Sequence, residues 1–213
     1  MQDKTTFSLK TLATAALAAA MLAACGSTPP TQFYTLATPA DGGASARTAS
    51  QEQGPQTFIE VMPVSVPERL ARPQLVVRSD ATRVDVLEQD RWSSPFNNEL
   101  RDALAAGVAS RLGAIDVSRG GRPADQPSYR INVELRDFDA FRNGQVQASF
   151  GWTITRSNDR RSAACRLTVV ERVAGGANAD VVAATQKAVG QAVQAIADNV
   201  RALQAGQGGQ CSA

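Results

Sequence analysis

Apolar and polar residues alternate most regularly in the second half of the chain. From Tyr129 to Leu135 every second residue is apolar and the residues between them are polar, a period typical of a half-buried strand. Asn143-Gly144 follows, a dipeptide favoured in tight hairpin turns, and two more alternating runs come after it, at 146–154 and 163–169. The pattern predicts three neighbouring antiparallel strands with one face toward the core and one toward water.

Two further segments repeat apolar residues at helical spacing. In the first, every fourth residue from Phe96 to Leu112 is apolar, and in the second the apolar residues between 182 and 203 recur at intervals of three, four and seven. These intervals place the apolar side chains on one face of a helix, which must pack against a sheet. The expected helix ends are Ser94 as cap, Pro95 as first residue and Gly113 as stop for the first helix, and Asp180 as cap for the second.

Residues 58–78 predict two strands joined by a proline-rich connector. The apolar residues of 58–64 predict the first strand and those of 75–78 the second. Pro63 and Pro67 limit the pairing of the first strand because proline has no amide hydrogen, and Pro67 begins a turn that ends at Leu70. A third strand at 83–87 is expected to pair with the second. We call residues 65–74 the connector.

The remaining segments complete the predicted fold. Short strands are expected at 33–36 and 115–117, a flexible loop of small and polar residues at 39–56, and another loop at 119–127. Together these elements predict a mixed α/β (α+β) fold, in which one mostly antiparallel twisted sheet of about six strands carries two long amphipathic helices. The predicted organisation is a signal peptide at 1–24, a lipidated N-terminus with a short strand and a flexible loop at 25–57, a single domain at 58–204 and a C-terminal tail at 205–213.

The N-terminus has the pattern of a bacterial lipoprotein signal. Lys4 and Lys10 accompany an apolar run that is too short for a transmembrane helix. The run ends in Leu22-Ala23-Ala24-Cys25, a lipobox whose cysteine accepts the lipid; the alternative is an ordinary signal peptide with an incidental cysteine. Gly26 and Ser27 follow, where retention in the inner membrane commonly uses an acidic residue. We therefore expect a lipid-anchored protein of the outer membrane that faces the periplasm.

Charge and composition exclude several classes of binding site and catalytic site. The net charge is +2, and removal of Asp3, Lys4 and Lys10 with the signal peptide leaves +1, which does not indicate nucleic-acid binding. The chain has no histidine, so histidine-dependent triads, metal sites and general bases are excluded. Cys165 and Cys211 remain beside the lipidated cysteine. In the oxidising periplasm we expect a disulfide between them, with two free thiols as the alternative.

Few residues suggest a catalytic or ligand-binding site. Asp137 and Asp139 form a carboxylate pair near a strand end, although solvation of that end explains them as well. Trp92 and Trp152 would line a ligand pocket or, more simply, pack in the core. Arg160-Arg161 would contact anionic headgroups or lie solvated in a turn. We therefore expect no enzyme activity, no metal and no cofactor beyond the covalent lipid.

The segment 59–78 resembles a phrase of the ABC-type transport auxiliary lipoproteins, the PqiC/YmbA family. The matching residues are Ile59-Glu60-Val61-x-Pro63-Val64-x-Val66-Pro67-x-x-Leu70-x-Arg72-Pro73-Gln74-Leu75-Val76-x-Arg78. Other features that fit the family, in the expected order, are the lipobox ending at Cys25, Phe33-Tyr34-Thr35-Leu36, Arg91-Trp92 before the helix, Tyr129-x-Ile131-x-Val133 with Asp137-Phe138-Asp139, and the alanine-rich final helix. The portion from Pro67 to Gln74 is the most specific part of the resemblance.

The resemblance implies a function that periodicity does not. Family members are lipoproteins on the periplasmic face of the outer membrane, and they partner MCE-domain proteins of an inner-membrane system for lipid transport. The implied role is a non-catalytic component that docks the transport assembly to the outer membrane, for which a homo-oligomer would suit a conduit. The candidate residues for contact with a partner or a second copy are Pro67, Arg69, Leu70, Arg72, Pro73 and Gln74; the alternative is that they brace the fold.

Two other functions compete with lipid transport at this point. One is an envelope assembly or pilotin-like interaction lipoprotein with no role in lipid transport, and the other is a periplasmic enzyme. The lack of histidine, of a nucleophile motif and of clustered metal ligands in the sequence argues against the enzyme. The resemblance at the connector alone favours transport over the pilotin-like role.

Overall fold

The structure, a computed structural model, describes residues 29–37, 56–121, 126–207 and 211. The chain divides into two units, residues 1–30 and 31–213, and of the first unit only Pro29 and Pro30 are described. The predicted signal peptide, the lipidation site at Cys25 and nearly all of the predicted loop at 39–56 lie outside the described residues. The boundaries of the predicted segments therefore stay predictions.

The described residues form eight strands, two α-helices and one short 3-10 helix. The strands are β1 (Gln32–Tyr34), β2 (Phe58–Val61), β3 (Gln74–Arg78), β4 (Val84–Trp92), β5 (Ile115–Asp116), β6 (Ser128–Ala140), β7 (Gln145–Arg156) and β8 (Ser162–Arg172). The helices are α1 (Phe96–Leu112) and α2 (Asn178–Gln204), and the 3-10 helix covers Glu68–Leu70. The predicted mixed α+β domain with two long helices is confirmed.

The strands form two mixed sheets where the sequence predicted one. The small sheet has the order β1-β4-β3 and the large sheet the order β5-β2-β6-β7-β8. Neighbours β3–β4, β6–β7 and β7–β8 are antiparallel, whereas β1–β4, β2–β5 and β2–β6 are parallel. Parallel neighbours cannot be joined by a tight turn, so these pairings leave no local signal in the sequence.

The large sheet is built around the predicted three-stranded meander. Along β6 the apolar residues from Tyr129 to Leu135 are buried and the residues between them are exposed, as the alternation predicts. A bulge shifts the β6–β7 register between Leu135 and Asp137. The turn into β7 contains Asn143 with φ 55°, a left-handed conformation that asparagine tolerates better than most residues. The apolar face of this meander supplies much of the core.

Both helices cover the buried face of the large sheet. Helix α2 packs against β7, β8 and α1, and α1 also packs against β2 and β5. Gly113 ends α1 in the left-handed conformation, with φ 60°, as expected. The predicted caps are wrong in detail. Pro95 precedes the first helical residue, and the Ser94 hydroxyl donates to the Glu99 carboxylate instead of capping the backbone.

The start of α2 also differs from the prediction. The helix begins at Asn178, two residues before the expected cap. Asp180 therefore lies in the first turn, where its carboxylate accepts a hydrogen bond from the Ala177 amide at 3.0 Å. An acidic residue there still satisfies a free amide and interacts favourably with the helix dipole. The residue was predicted correctly as a start signal, but its position within the helix was not.

An aromatic contact links the two sheets. The Trp92 ring at the end of β4 lies 5.1 Å from the Phe96 ring, and the Phe96 ring lies 5.5 Å from the Phe138 ring on β6, measured between centroids. All three side chains are buried. Because Phe96 begins α1, the small sheet, the helix and the large sheet share one continuous core.

Candidate functional site

The connector carries the chain from the large sheet to the small one. Strand β2 ends at Val61, three residues before the predicted end, but the chain continues beside β6. The Ser65 amide donates to the Val133 carbonyl at 3.3 Å, and the Leu135 amide donates to the Ser65 carbonyl at 2.9 Å. The first residue of the connector is therefore held like a strand, although the prolines around it prevent a regular ladder.

The predicted turn at Pro67 is a single 3-10 turn. The Pro67 carbonyl accepts a hydrogen bond from the Leu70 amide at 2.8 Å. Proline favours this arrangement because its ring fixes φ near the value that the turn requires, and the φ of Pro67 is −53°. The Leu70 side chain is buried in the core. Pro67 and Leu70 thus shape and fasten the connector from within.

Arg69 fastens the connector to β6 from the outside. One of its terminal nitrogens donates to the Phe138 carbonyl at 2.8 Å and to the Asp137 carboxylate at 3.1 Å. The same nitrogen lies 3.6 Å from the Asp139 carboxylate, which also binds Arg78 of β3 at 2.7 Å. The two aspartates are therefore ion-pair partners of two arginines that join the sheets. This network accounts for the carboxylate pair without a catalytic role.

The last residues of the connector join the start of β3 to the end of β4. The Pro73 carbonyl accepts a hydrogen bond from the Trp92 amide at 2.6 Å, while the Pro73 ring is exposed. The Gln74 side-chain amide donates to the exposed Glu88 carboxylate at 3.2 Å. A side-chain contact of this kind at the surface contributes little to stability.

Arg72 differs from the other residues of the connector. Its side chain is half-buried, and its Nε atom is shielded from solvent without a hydrogen-bond partner among the described residues. A shielded donor without an acceptor is unfavourable within the isolated chain. The six candidate contact residues therefore differ in how they serve the fold. Pro67 and Pro73 accept backbone hydrogen bonds, and Arg69 and Leu70 make fold contacts through their side chains. The side chains of Arg72 and Gln74 contribute least.

A second polar centre, which the sequence did not indicate, surrounds Glu99 of α1. This carboxylate is buried, with 8% of the residue exposed. It accepts hydrogen bonds from the Ser93 hydroxyl at 2.6 Å, the Leu36 amide at 2.9 Å, the Thr35 hydroxyl at 2.8 Å and the Ser94 hydroxyl at 3.0 Å. Burial raises the pKa of the Glu99 carboxyl, but these hydrogen bonds outweigh it and hold the pKa below its ordinary value.

The Glu99 centre attaches the N-terminal segment to the domain. Strand β1 has only three residues and a single neighbour, β4. The hydrogen bonds from Thr35 and Leu36 fix the chain immediately after β1, and the Leu36 side chain is buried. Because Glu99 lies within the apolar stripe of α1, periodicity alone gives no sign that it has polar partners.

The remaining sequence candidates lie in the core or at turns. Trp92 and Trp152 are buried, and the Trp152 indole donates to the Asn199 side chain at 3.0 Å. The side chain of Arg161, in the turn before β8, pairs with Asp159. The sulfur atoms of Cys165 and Cys211 lie at bonding distance, with Cα atoms 5.6 Å apart. Such a disulfide would attach the tail to β8, the last strand of the large sheet.

No described helix is both long and apolar enough to cross a membrane. Within the same residues, no group of three or more cysteine, aspartate or glutamate side chains is arranged to hold a metal ion.

Comparison with known proteins places these features in a family. The sequence profile of the ABC-type transport auxiliary lipoprotein component matches residues 34–197. The intermembrane transport lipoprotein PqiC of Escherichia coli (strain K12) is 25% identical over 155 residues, which cover 73% of this chain and 80% of the relative. The protein of the same name from Shigella flexneri matches equally well.

Solved structures share the fold at lower sequence identity. A crystal structure of an uncharacterized protein superposes with a TM-score of 0.61 and 19% identity, covering 80% of this chain and 99% of the other. A protein from Xanthomonas campestris superposes with a TM-score of 0.54 and 20% identity, covering 72% and 88% of the two chains. The profile match extends from β1 into α2 and includes the connector and both sheets. The chain therefore belongs to the family of ABC-type transport auxiliary lipoprotein components.

Proposed function

We propose that the protein is a lipoprotein anchored in the outer membrane, where it acts as a non-catalytic auxiliary component of an MCE/ABC-type system for intermembrane lipid transport. The observation that carries the proposal is the family match over residues 34–197 in a chain whose N-terminus ends in a lipobox at Cys25. The role follows from binding: the protein holds the end of the transport assembly near the bilayer and breaks no bond.

The anchor is the first part of the proposal. Acylation of Cys25 supplies several hydrocarbon chains, and each buried methylene adds roughly 0.8 kcal/mol to membrane binding. Gly26 and Ser27 contain no acidic signal for retention in the inner membrane. The mature domain therefore faces the periplasm from the inner leaflet of the outer membrane.

The second part is the partner, an MCE-domain protein of the inner-membrane complex. The Escherichia coli relative is named an intermembrane transport lipoprotein, and a docking role at the outer membrane calls for a partner from the inner-membrane complex. Arg72 is the connector side chain best suited to this contact. The Arg72 Nε atom lacks an acceptor among the described residues, and a carboxylate or carbonyl of the partner would provide one.

Crosslinking in intact cells, followed by mass spectrometry, tests the partner. We expect recovery of an MCE-domain protein with the native chain and a clear loss of that product with Arg72→Ala. The substitution removes no hydrogen bond of the described fold, so the free energy of unfolding should change by no more than about 0.5 kcal/mol. Arg166→Ala, which removes an exposed arginine from β8, is the matched control and should change neither quantity.

Other results would reject parts of this proposal separately. Exclusive recovery of β-barrel assembly or secretion machinery would support the pilotin-like alternative. A collapse of the thermal transition in Arg72→Ala would assign the residue to bracing the fold. Failure of the native chain to incorporate a labelled fatty acid, or equal incorporation by Cys25→Ser, would reject the anchor.

A further inference from the structure

The outer face of the small sheet carries a row of apolar side chains. Strand register aligns Phe33 of β1 with Arg91 of β4 and Gln74 of β3, and it aligns Val76 with Val86. Side chains that are register partners share a face of the sheet, and neighbours along a strand alternate between faces. The opposite face belongs to the core, because Leu75, Val77 and Trp92 are buried there.

Phe33 is the most exposed large apolar residue of the described part. It is 67% exposed, and Val84, which pairs with Arg78 on the same outer face, is 40% exposed. Val76 and Val86 lie between them and are half-buried. Two other exposed apolar residues, Ile115 and Val170, lie on β5 and β8 of the large sheet. Phe33 thus lies exposed beside the polar Arg91 and Gln74, with the three valines farther along the same face, and this makes the face a candidate contact surface.

The position of the predicted lipid determines what can reach this face. Phe33 lies eight residues after Cys25, and an extended chain of that length spans at most about 28 Å. Strand β1 is fixed to the domain through Glu99, as described above. With the lipid inserted in the bilayer, Phe33 would stay within about 28 Å of the membrane surface and could therefore reach the headgroups.

The charges beside the apolar row do not suit an electrostatic contact. On the outer face, β3 and β4 carry two arginines, Arg78 and Arg91, and each lies beside a carboxylate, Asp139 for Arg78 and Glu88 for Arg91. Membrane attraction by basic residues requires a cluster of one sign, which this balance does not provide. A contact at this face must depend on apolar and aromatic side chains, so anionic lipid is not needed for it.

We propose that the outer face of the small sheet rests on the bilayer that holds the lipid anchor, with Phe33 in the interfacial region. The apolar ring of a phenylalanine gains from burial at the boundary between headgroups and acyl chains, as it does on the apolar face of interfacial helices. The contact adds a second attachment to the lipid and orients the domain on the membrane surface. This inference rests on the lipidation of Cys25, which is part of the proposed function.

Photolabelling from the lipid phase tests the orientation. The full-length lipidated protein is reconstituted in vesicles of phosphatidylethanolamine and phosphatidylglycerol that contain a diazirine-bearing phosphatidylethanolamine. Cleavage after arginine gives residues 84–91 from β4 and residues 167–172 from β8, two short peptides that report on the two sheets. We expect several-fold more lipid adduct on 84–91, and adducts at Phe33 in the N-terminal peptide.

Two variants separate the aromatic contact from simple proximity. Phe33→Ser should lower the adduct on 84–91 several-fold, without altering flotation of the protein with vesicles or its thermal transition. Val170→Ser, at a residue with 53% exposure on the large sheet, is the matched control and should leave the labelling pattern unchanged. The pattern should also persist in vesicles of phosphatidylcholine alone, because the contact does not require anionic lipid.

Two measurements test the lipid anchor separately from the orientation of the small sheet. They are flotation of the protein with vesicles and the mass of the acylated N-terminal peptide. A protein that floats but labels 84–91 no more than 167–172 retains its anchor and overturns the proposed orientation. Crosslinks in cells from residues 84–91 to a protein partner or a second copy, instead of lipid adducts, would overturn it as well. A chain that neither carries acyl groups nor floats overturns both the anchor and the orientation.

Discussion

Glu99 shows how one buried charge can organise a weakly held segment. Its carboxylate accepts four hydrogen bonds, two from the serines before α1 and two from the residues after β1. Burial of a carboxylate lowers stability unless its oxygen atoms accept hydrogen bonds. Here the donors come both from the residues before α1 and from the residues after β1. Glu99 therefore fastens the chain after β1 to a helix, in addition to the ladder of β1 with β4 and the hydrogen bond from Gln186 to the Thr35 carbonyl.

Replacing Glu99 by glutamine tests this role. Glu99→Gln keeps the shape of the side chain but removes the charge and presents an amide to donors that require an acceptor. We expect the free energy of unfolding near neutral pH to fall by about 1–3 kcal/mol, the usual cost of leaving a buried donor unpaired. Urea denaturation measures the change. Glu88→Gln, whose side chain is 64% exposed, is the control and should have almost no effect.

Comparison of the native protein with Glu99→Gln also predicts how the free energy of unfolding changes with pH. The pKa of Glu99 in the folded protein lies below its ordinary value of 4.5. Its contribution to stability is therefore fully present above that value and is lost as the pH falls through the folded pKa. Between neutral pH and about pH 3, the native protein should lose more stability than Glu99→Gln. If both proteins lost the same free energy of unfolding, Glu99 would not contribute to the pH dependence of stability.

The two helices meet at a glycine, which makes their contact sensitive to one methyl group. A Cβ atom added at Gly107 of α1 would lie 2.8 Å from Val193 Cγ2 and 2.9 Å from Val193 Cγ1 on α2. Real Cβ atoms do not approach so closely, so the helices or the valine would have to move. At Gly190 of α2 the same atom would meet nothing within 4 Å.

Two alanine substitutions should therefore have opposite effects. Gly107→Ala gains helix propensity but overpacks the interface, and we expect a net loss of about 1–2 kcal/mol in the free energy of unfolding. Gly190→Ala gains the same propensity without a clash, and we expect stabilisation by about 0.5–1 kcal/mol. Thermal or urea denaturation compares both variants with the native chain. A neutral Gly107→Ala would mean that the helices separate readily at this contact.

Local patterns predicted the elements whose partners come next in the chain. The hairpins of β6, β7 and β8 followed from alternation and turn residues, and the β3–β4 pair from two short apolar runs. Strand β2, in contrast, pairs in parallel with β6 across β3, β4, α1 and β5, and no local residue encodes that partner. Strand β4 extends to Trp92, beyond the predicted Leu87, because its last three residues pair in parallel with β1, a partner far away in the sequence.

The sequence predicted where the candidate site lies, but it did not predict which residues of the connector support the fold and which are available to a partner. The sequence singled out the connector through its resemblance to a family, but it could not separate Arg69 from Arg72. Arg69 finds its acceptors on β6, and a pairing between segments so far apart in the chain follows only from the fold. The Glu99 centre was missed for the same reason. Two of its donors, Thr35 and Leu36, are more than 50 residues away from Ser93 and Ser94 in the sequence.

At the scale of the whole molecule, Cys211 of the C-terminal tail lies against β8. The Cys211 sulfur lies beside Cys165, 46 residues earlier in the chain, and at 3.3 Å from the Ala164 carbonyl. A crosslink of this span restricts the unfolded chain much more than the folded one, in the chain-entropy account of disulfides. The covalent bond would thus stabilise the domain although Cys211 itself is exposed.

Removal of this crosslink is expected to lower the free energy of unfolding by about 2–4 kcal/mol. Cys211→Ser should show that loss under oxidising conditions, and the native protein should approach the same stability when a reducing agent is added. The double variant Cys165→Ser/Cys211→Ser is the control, because it should match Cys211→Ser and be insensitive to the reductant. Alkylation of the unreduced native protein completes the measurement. Two thiols that label freely, or a native stability that reduction leaves unchanged, would show that the tail is not covalently attached in the periplasmic form.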